Sequence, residues 1–143
     1  MRPLAKTVLA AAACFALVQD GVLSVDFASL ADFKFEPGMK LPEHVTKLDK
    51  KKVRLTGFMM RDGGGSGPVE YFLLVSDQCG CEGMPFLNEV VFCDLESGKS
   101  TEVLPGLVTV EGTLFVGEVV DEGITTSLYN LDVDRIGVDG HGN

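Results

Sequence analysis

Beyond residue 50 the apolar residues fall in short runs of Val, Leu, Phe and Ile, interrupted by Gly, Pro or Asp. Runs of this kind, rich in β-branched and aromatic side chains, read as strands. The first is Lys52 to Met60, where Val53, Leu55 and Met59 alternate with Arg54 and Thr56, the two-residue period of a strand with one buried face. The second is Val69 to Val75 and the third Glu89 to Leu95, with turn residues at Glu96-Ser97-Gly98-Lys99-Ser100 and again at Pro105-Gly106. The fourth, Leu107 to Val116, places Val108, Val110, Leu114 and Val116 on one face, and Gly112 in its middle predicts a bulge or sharp bend. The fifth runs from Ile124 to Ile136, ahead of the polar tail Asp139-Gly140-His141-Gly142-Asn143.

Five short strands with glycines at bend positions predict an all-β fold, a small five-stranded barrel of OB-like topology, with a flattened sandwich as the alternative. Residues 21–50 are expected to form a short N-terminal arm, helical or extended. In it Phe27, Leu30, Phe33 and Phe35 supply apolar contacts and Glu36-Pro37-Gly38 breaks the chain. Leu41 to Asp49 reads as a turn of helix with Pro42 near its first position, delivering the chain into the barrel of residues 51–138.

The first twenty residues differ in kind. Arg2 and Lys6 precede the apolar run Thr7 to Val18, which ends at Gln19-Asp20-Gly21. This is the pattern of an export signal, and the run is short for a bilayer span. The competing reading is a buried N-terminal helix. Ala11-Ala12-Ala13-Cys14 offers a minor lipoprotein reading with acylation at Cys14, so a periplasmic or secreted location is expected and membrane attachment only through this segment.

The 143-residue chain has room for one domain and carries a net charge of -9. Removing residues 1–19 takes Arg2 and Lys6 and no acidic residue, making it more acidic still. That balance argues against a nucleic-acid partner, which needs a basic face. The one basic group, Lys47, Lys50, Lys51, Lys52 and Arg54, reads as a solvated approach to the first strand. The glycine-rich stretch Arg61 to Pro68 lacks the Gly-Lys-Ser/Thr ending of a phosphate loop, and Gly65-Ser66-Gly67 lacks the strand–turn–helix of a nucleophile elbow.

Chemistry concentrates between the second and third strands, where Cys79-Gly80-Cys81 precedes Pro85, Asn88 and Glu89, with Cys93 on the following strand. Cα atoms two apart in extended chain lie roughly 5.5–7 Å apart, so a Cys79–Cys81 disulfide would be strained and oxidising. The same spacing lets two thiolates hold one soft cation, zinc or copper. Cys93 is a third ligand, a resolving thiol or a buried core residue. With three thiols beyond the export segment, one stays unpaired, so a purely structural disulfide framework does not account for them. His44 and His141 are the available imidazoles, neither in a recognised ligand spacing with the loop.

The segments LPEHVTKLDKKKVRLTGFMM, EYFLLV, PFLNEVVFCDL and VTVEGTLFVGE resemble the bacterial family of exported proteins labelled DUF3299, over roughly residues 41–136. In that family the strand ending Phe-Leu-Leu-Val is followed by Cys-x-His, a run of prolines and Asn-Gln. Cys79 matches the family cysteine, Cys81 stands where the family has histidine, Pro85 matches one proline, Asn88 the asparagine, and Glu89 replaces the glutamine. Both Cys and His bind zinc or copper, whereas Cys-x-His forms no internal disulfide, so the resemblance implies metal over redox chemistry.

The expectation from sequence is therefore an exported β-barrel protein, more binding module than enzyme. Its metal ligands come from Cys79, Cys81, Cys93 and His44, and Pro85, Asn88 and Glu89 shape the loop. A thiol-disulfide protein using the same cysteines is the first alternative. A module docking on another envelope protein is the second, and replacing Cys79 and Cys81 by serine would leave its function unchanged.

Overall fold

The computed structural model describes residues 21–76 and 85–138. In chain order it contains β1 (Leu23–Ser24), α1 (Phe27–Leu30), α2 (Glu43–Thr46), β2 (Lys51–Met60), β3 (Tyr71–Val75), a 3-10 turn (Leu87–Glu89), β4 (Val90–Asp94), β5 (Leu107–Asp121) and β6 (Ile124–Val138). The fold is mostly β, a six-stranded mixed sheet in the order β1-β2-β3-β4-β6-β5, with β2 also paired to β5.

The alternation expected of the first strand is present: Val53, Leu55 and Met59 are buried, whereas Arg54 and Thr56 lie on the other face. β2 runs antiparallel to β5 from Lys51↔Leu114 to Phe58↔Leu107, and to β3 from Phe58↔Val75 to Met60↔Leu73. β3 and β4 form an antiparallel hairpin from Tyr71↔Asp94 to Val75↔Val90. β4 then lies parallel to β6 from Phe92↔Asn130 to Asp94↔Asp132, and β6 returns antiparallel along β5.

Strand boundaries differ from the sequence expectation where local chemistry intervenes. Val69 makes only an isolated bridge with Thr101, so β3 starts at Tyr71. Glu89 closes the 3-10 turn instead of opening β4. β5 runs on to Asp121 and, with the start of β6, continues as a ribbon past the part paired to β2, while β6 extends to Val138 opposite Val108. Its tip turns on Glu122 (φ 51°) and Gly123 (φ 82°), the left-handed pair that a two-residue hairpin requires. The sixth strand, the two-residue β1, lies parallel to β2 at Val53 and Arg54.

Gly112 meets its expectation. The β5–β6 register shifts between Glu111 and Gly112, and a Cβ at Gly112 would lie 2.1 Å from the Asp132 carbonyl oxygen. The side chain is absent because the neighbouring backbone occupies its place.

The core joins Val53, Leu55 and Met59 of β2, Phe72 and Leu74 of β3, Val91 and Cys93 of β4, Val108, Val110 and Leu114 of β5, and Leu128, Tyr129 and Leu131 of β6. Phe27, Leu30 and Val45 of the N-terminal segment complete it, with Phe33 and Phe35 packed against its margin. The segment thus forms both expected structures, a helical turn at Phe27–Leu30 and a drape beyond it. Asp26 caps α1, its carboxylate accepting from the Ser29 amide at 3.1 Å. Hydrogen bonds tie the segment to the sheet, among them the Val25 amide donating to the Arg54 carbonyl, the Gly38 amide to Glu118 Oε2, and the buried Tyr129 hydroxyl to the Leu30 carbonyl at 2.7 Å.

A second cluster lies on the other face, where Leu73, Val75 and Val90 are buried beside Phe58, Met60 and Phe92. β3 is therefore apolar on both faces, which is why its sequence reads as a continuous run.

Candidate functional site

The strand pair Val75↔Val90 brackets residues 76–89, and that segment holds the cysteine pair. Cys79 and Cys81 lie outside the described residues, as do Cys14 and His141. The C-terminal root of the segment is described, and it is built firmly. Pro85 is half-buried. Phe86 is 74% exposed, a large apolar side chain at the surface beside the cysteine segment. The 3-10 turn closes twice over Phe86, its carbonyl accepting from the Glu89 amide at 2.8 Å and its amide donating to Glu89 Oε1 at 3.0 Å. Glu89, expected to shape the loop, closes the 3-10 turn at Phe86 with its side chain.

Asn88 is turned inward and only 4% exposed. Its Nδ2 donates to the Phe33 carbonyl at 2.6 Å, joining the root to a residue 55 positions earlier. A buried amide needs partners, and the Phe33 carbonyl supplies one to the Asn88 Nδ2.

The two remaining candidates point elsewhere. Cys93 is fully buried in the core, its Sγ 3.7 Å from the Val91 carbonyl. Burial, and then the charge of Asp94, push its thiol well above the ordinary range, holding it in the neutral form. His44 sits on α2 at the surface, with Nε2 3.0 Å from Asp32 Oδ1 and 3.1 Å from the Ser29 carbonyl. It closes the N-terminal segment over α1. The structure thus does not bring Cys93 and His44 together, and among the described residues no three or more His, Cys, Asp or Glu side chains are grouped to hold a metal. A thiolate contribution from Cys93 does not fit a metal site, because its charged form would lie in an apolar core.

Acidic groups gather across β3, β4 and β6. Tyr71 donates to Asp62 Oδ2 at 2.7 Å and its hydroxyl is shifted up, first by that hydrogen bond. Asp94, paired in register with both Tyr71 and Asp132, is raised by burial and then by the Asp132 charge. Over β2, β5 and β6 the charges are balanced: Glu111 accepts from Arg54 Nε at 2.7 Å and Arg135 Nε at 3.1 Å, and Lys52 pairs with Asp134. The basic group expected to be solvated is exposed at Lys47, Lys50, Lys51 and Lys52, of which Lys52 also pairs with Asp134, whereas Arg54 is half-buried and paired.

Sequence reading missed Tyr129 and the partner of Asn88. Both act through carbonyls distant in sequence, 99 and 55 positions away, and a carbonyl carries no side-chain signature. An available signal for Tyr129 was its place on the inward face of an alternating strand, where a hydroxyl must find an acceptor.

Among the described residues no helix is long and apolar enough to cross a membrane. No curated protein matches the chain. Its fold is similar to the crystal structure of a DUF3299 family protein from Pseudomonas aeruginosa, with a TM-score of 0.56 at 18% identity over 99% of this chain and 87% of that one. A weaker likeness, TM-score 0.39 at 14% identity over 93% of this chain and 26% of that chain, is to a protein assigned as an aspartyl-tRNA synthetase from Leishmania major, and carries no argument. The sequence matches the family model described as "Protein of unknown function (DUF3299)" over residues 17–138, so the chain belongs to the DUF3299 family.

Proposed function

We propose that this chain is an exported, OB-like β-barrel protein that takes up a soft or borderline divalent metal, zinc or copper, at Cys79 and Cys81. The carrying observation is the placement of Cys79-Gly80-Cys81 between the strand pair Val75↔Val90, on a segment whose root is locked at Phe86–Glu89 and tethered by Asn88. The barrel reading is supported by the ring of pairings from β2 through β3, β4, β6 and β5 back to β2, with β4 and β6 parallel. Export is supported by the basic start and apolar run of residues 1–20.

Capture proceeds by loss of the two thiol protons as the cation binds, so uptake weakens as pH falls and protons are released on loading. Asn88, Glu89 and Pro85 hold the segment's root and limit the freedom lost on binding. Non-denaturing mass spectrometry of the purified exported chain tests the reading. One zinc or copper per chain, lost on replacing Cys79 and Cys81 by serine, is expected. A chain with both thiols reduced that takes up neither metal refutes it.

One observation favours a second reading. Burial accounts for Cys93, which leaves Cys79 and Cys81 as an even pair beyond the export segment. In a thiol-disulfide protein the pair would pass two electrons and two protons to a partner disulfide, forming the Cys79–Cys81 bond as the partner becomes two thiols. A titration of thiol reactivity against pH separates the readings, since exchange chemistry requires one thiol well below the ordinary range.

A further inference from the structure

The outer face of β3, β4, β6 and β5 carries side chains that the chemistry above does not use. Phe72, Cys93, Leu131 and Leu114 of these strands lie in the core, so the residues on either side of them point outward. Strand register sets six of these in two rows: Tyr71 opposite Asp94 and Asp94 opposite Asp132, then Phe92 opposite Asn130 and Asn130 opposite Phe115. Tyr71, Asp94 and Asp132 are exposed, Phe92 and Asn130 half-buried, and Phe115 is 37% exposed. The rows stand two residues apart along each strand, roughly 6.6–6.8 Å.

The two carboxylates of the first row have no counter-charge among the described residues. Lys52, in register with Thr113 beside Asp132, pairs with Asp134 instead, and Arg54 and Arg135 share Glu111. Like charges facing each other across adjacent strands are unfavourable. The Asp94 carboxyl is accordingly raised above its ordinary value, first by partial burial and then by the Asp132 charge. An acidic pair in this state lies one row from an aromatic one.

We propose that this face docks an extended peptide segment of a partner protein, whose arginine enters between Asp94 and Asp132 while the apolar side chain two residues along lies over Phe92 and Phe115. Charge complementarity selects the occupant. A neutral ligand covering the acidic row would strip water from two carboxylates without replacing it. A guanidinium presents parallel N–H donors to carboxylates and a flat face to an aromatic ring, which a lysine ammonium does not. Spacing selects the motif, because side chains two apart on an extended chain share a side and match the interval between the rows. Phe92 and Phe115 are two strands apart, about 10 Å, so one apolar side chain fits between their rings over Asn130. The surface uses neither Cys79 nor Cys81, so it goes beyond the metal reading and does not depend on it.

The experiment titrates the full exported chain with acetyl-Arg-Ser-Leu amide at low ionic strength and follows the backbone amides by NMR. This probe is expected to shift residues 92–94, 113–115 and 130–132. Glutamine in place of its arginine should weaken binding about tenfold, and the reordered acetyl-Arg-Leu-Ser amide should bind severalfold more weakly. Asp94→Asn and Asp132→Asn should each lose about tenfold at an unchanged or raised melting temperature, because the repulsion leaves with the charge. Glu122→Gln, at the tip of the ribbon, makes the same change in net charge and should stay within about twofold of the parent. The proposal is overturned if the probe leaves these amides unmoved, if either altered peptide binds as well, or if Glu122→Gln weakens binding as much as the Asp variants. Maltotriose, a neutral saccharide, should leave the face unmoved; equal shifts with it would mark a sugar platform and overturn the peptide assignment. Should one Asp variant fail to fold, the other decides.

Discussion

Replacing Gly112 by Ala isolates the contact that bends β5 against β6. An alanine in a strand ordinarily gains roughly 0.5–1 kcal/mol over glycine because it loses less backbone freedom on folding. At Gly112 the φ lies outside the left-handed region, so the backbone itself permits a side chain. The space does not. The new Cβ would stand 2.1 Å from the Asp132 oxygen, 2.9 Å from the Asp132 carbonyl carbon and 3.0 Å from the Val133 Cα. Carbon contacts settle near ~3.5–4.0 Å, and all three atoms are backbone, which no rotamer change removes. The strands must part by more than an ångström, giving up two or so ladder hydrogen bonds at about 1 kcal/mol each. The packing of Val110 and Leu114 beside the bulge loosens as well, and overpacking adds about 1–3 kcal/mol. The expected loss is about 3–4 kcal/mol, a fall in melting temperature of roughly 10 °C or more for a domain this size. Gly137→Ala is the control, because nothing lies within 4 Å of its added Cβ. It should be neutral or stabilising by up to about 1 kcal/mol. Thermal and urea unfolding of both variants provide the measurement. The reasoning is refuted if Gly112→Ala unfolds within about 2 °C of the parent, or if Gly137→Ala falls as far.

Tyr129→Phe removes the donor to the buried Leu30 carbonyl and should cost about 1–2 kcal/mol in urea unfolding. Burial raises both Cys93 and Tyr129 above their ordinary values of 9.0 and 10.0, so the folded state keeps protons that the unfolded chain releases. Stability from these groups is full below pH 9.0 and falls as pH rises beyond it; melts from pH 8 to 11 check this, and Tyr129→Phe should flatten the decline above 10.0. Cys93 should resist alkylation in the native chain and react promptly in urea, so rapid native labelling at Cys93 would contradict its core position. Glu111 is lowered below its ordinary 4.5, first by the Arg54 hydrogen bond, so its contribution is present above 4.5 and lost as pH falls through the folded value. Glu111→Gln should blunt that acid loss, and an unchanged acid profile would dismiss the pairing as a source of stability.

What was legible in the sequence was the part governed by period and turn chemistry. Val53, Leu55 and Met59 announce β2 by alternation, and Val108, Val110 and Leu114 announce β5 in the same way. Gly112 marks its bulge because a strand glycine signals close backbone approach. β3 was recognisable as a strand, but its second apolar face was not, since a run such as Phe72–Val75 does not reveal what lies on either side. The ribbon beyond Val116 carries no strand signal, because Gly117, Glu118 and Asp121 are residue types depleted in strands. Asn88 stood out as a loop residue, while its role as a buried tether depends on Phe33, 55 residues earlier, and such a contact has no local signature.

The pairing of β2 with β5 joins residues 51–58 to 107–114, and β4 waits for β6, the last strand of the sheet. Local hairpins can form early, but β2 cannot gain its longest partner until much of the chain exists, a topology that folds slowly. At about 5–20 residues per second, ribosomal synthesis from residue 51 to residue 114 takes roughly 3–13 s. Throughout that interval the β2 segment, with Val53, Leu55 and Met59 along one side, is an unmatched apolar strand within reach of any chaperone that binds such segments.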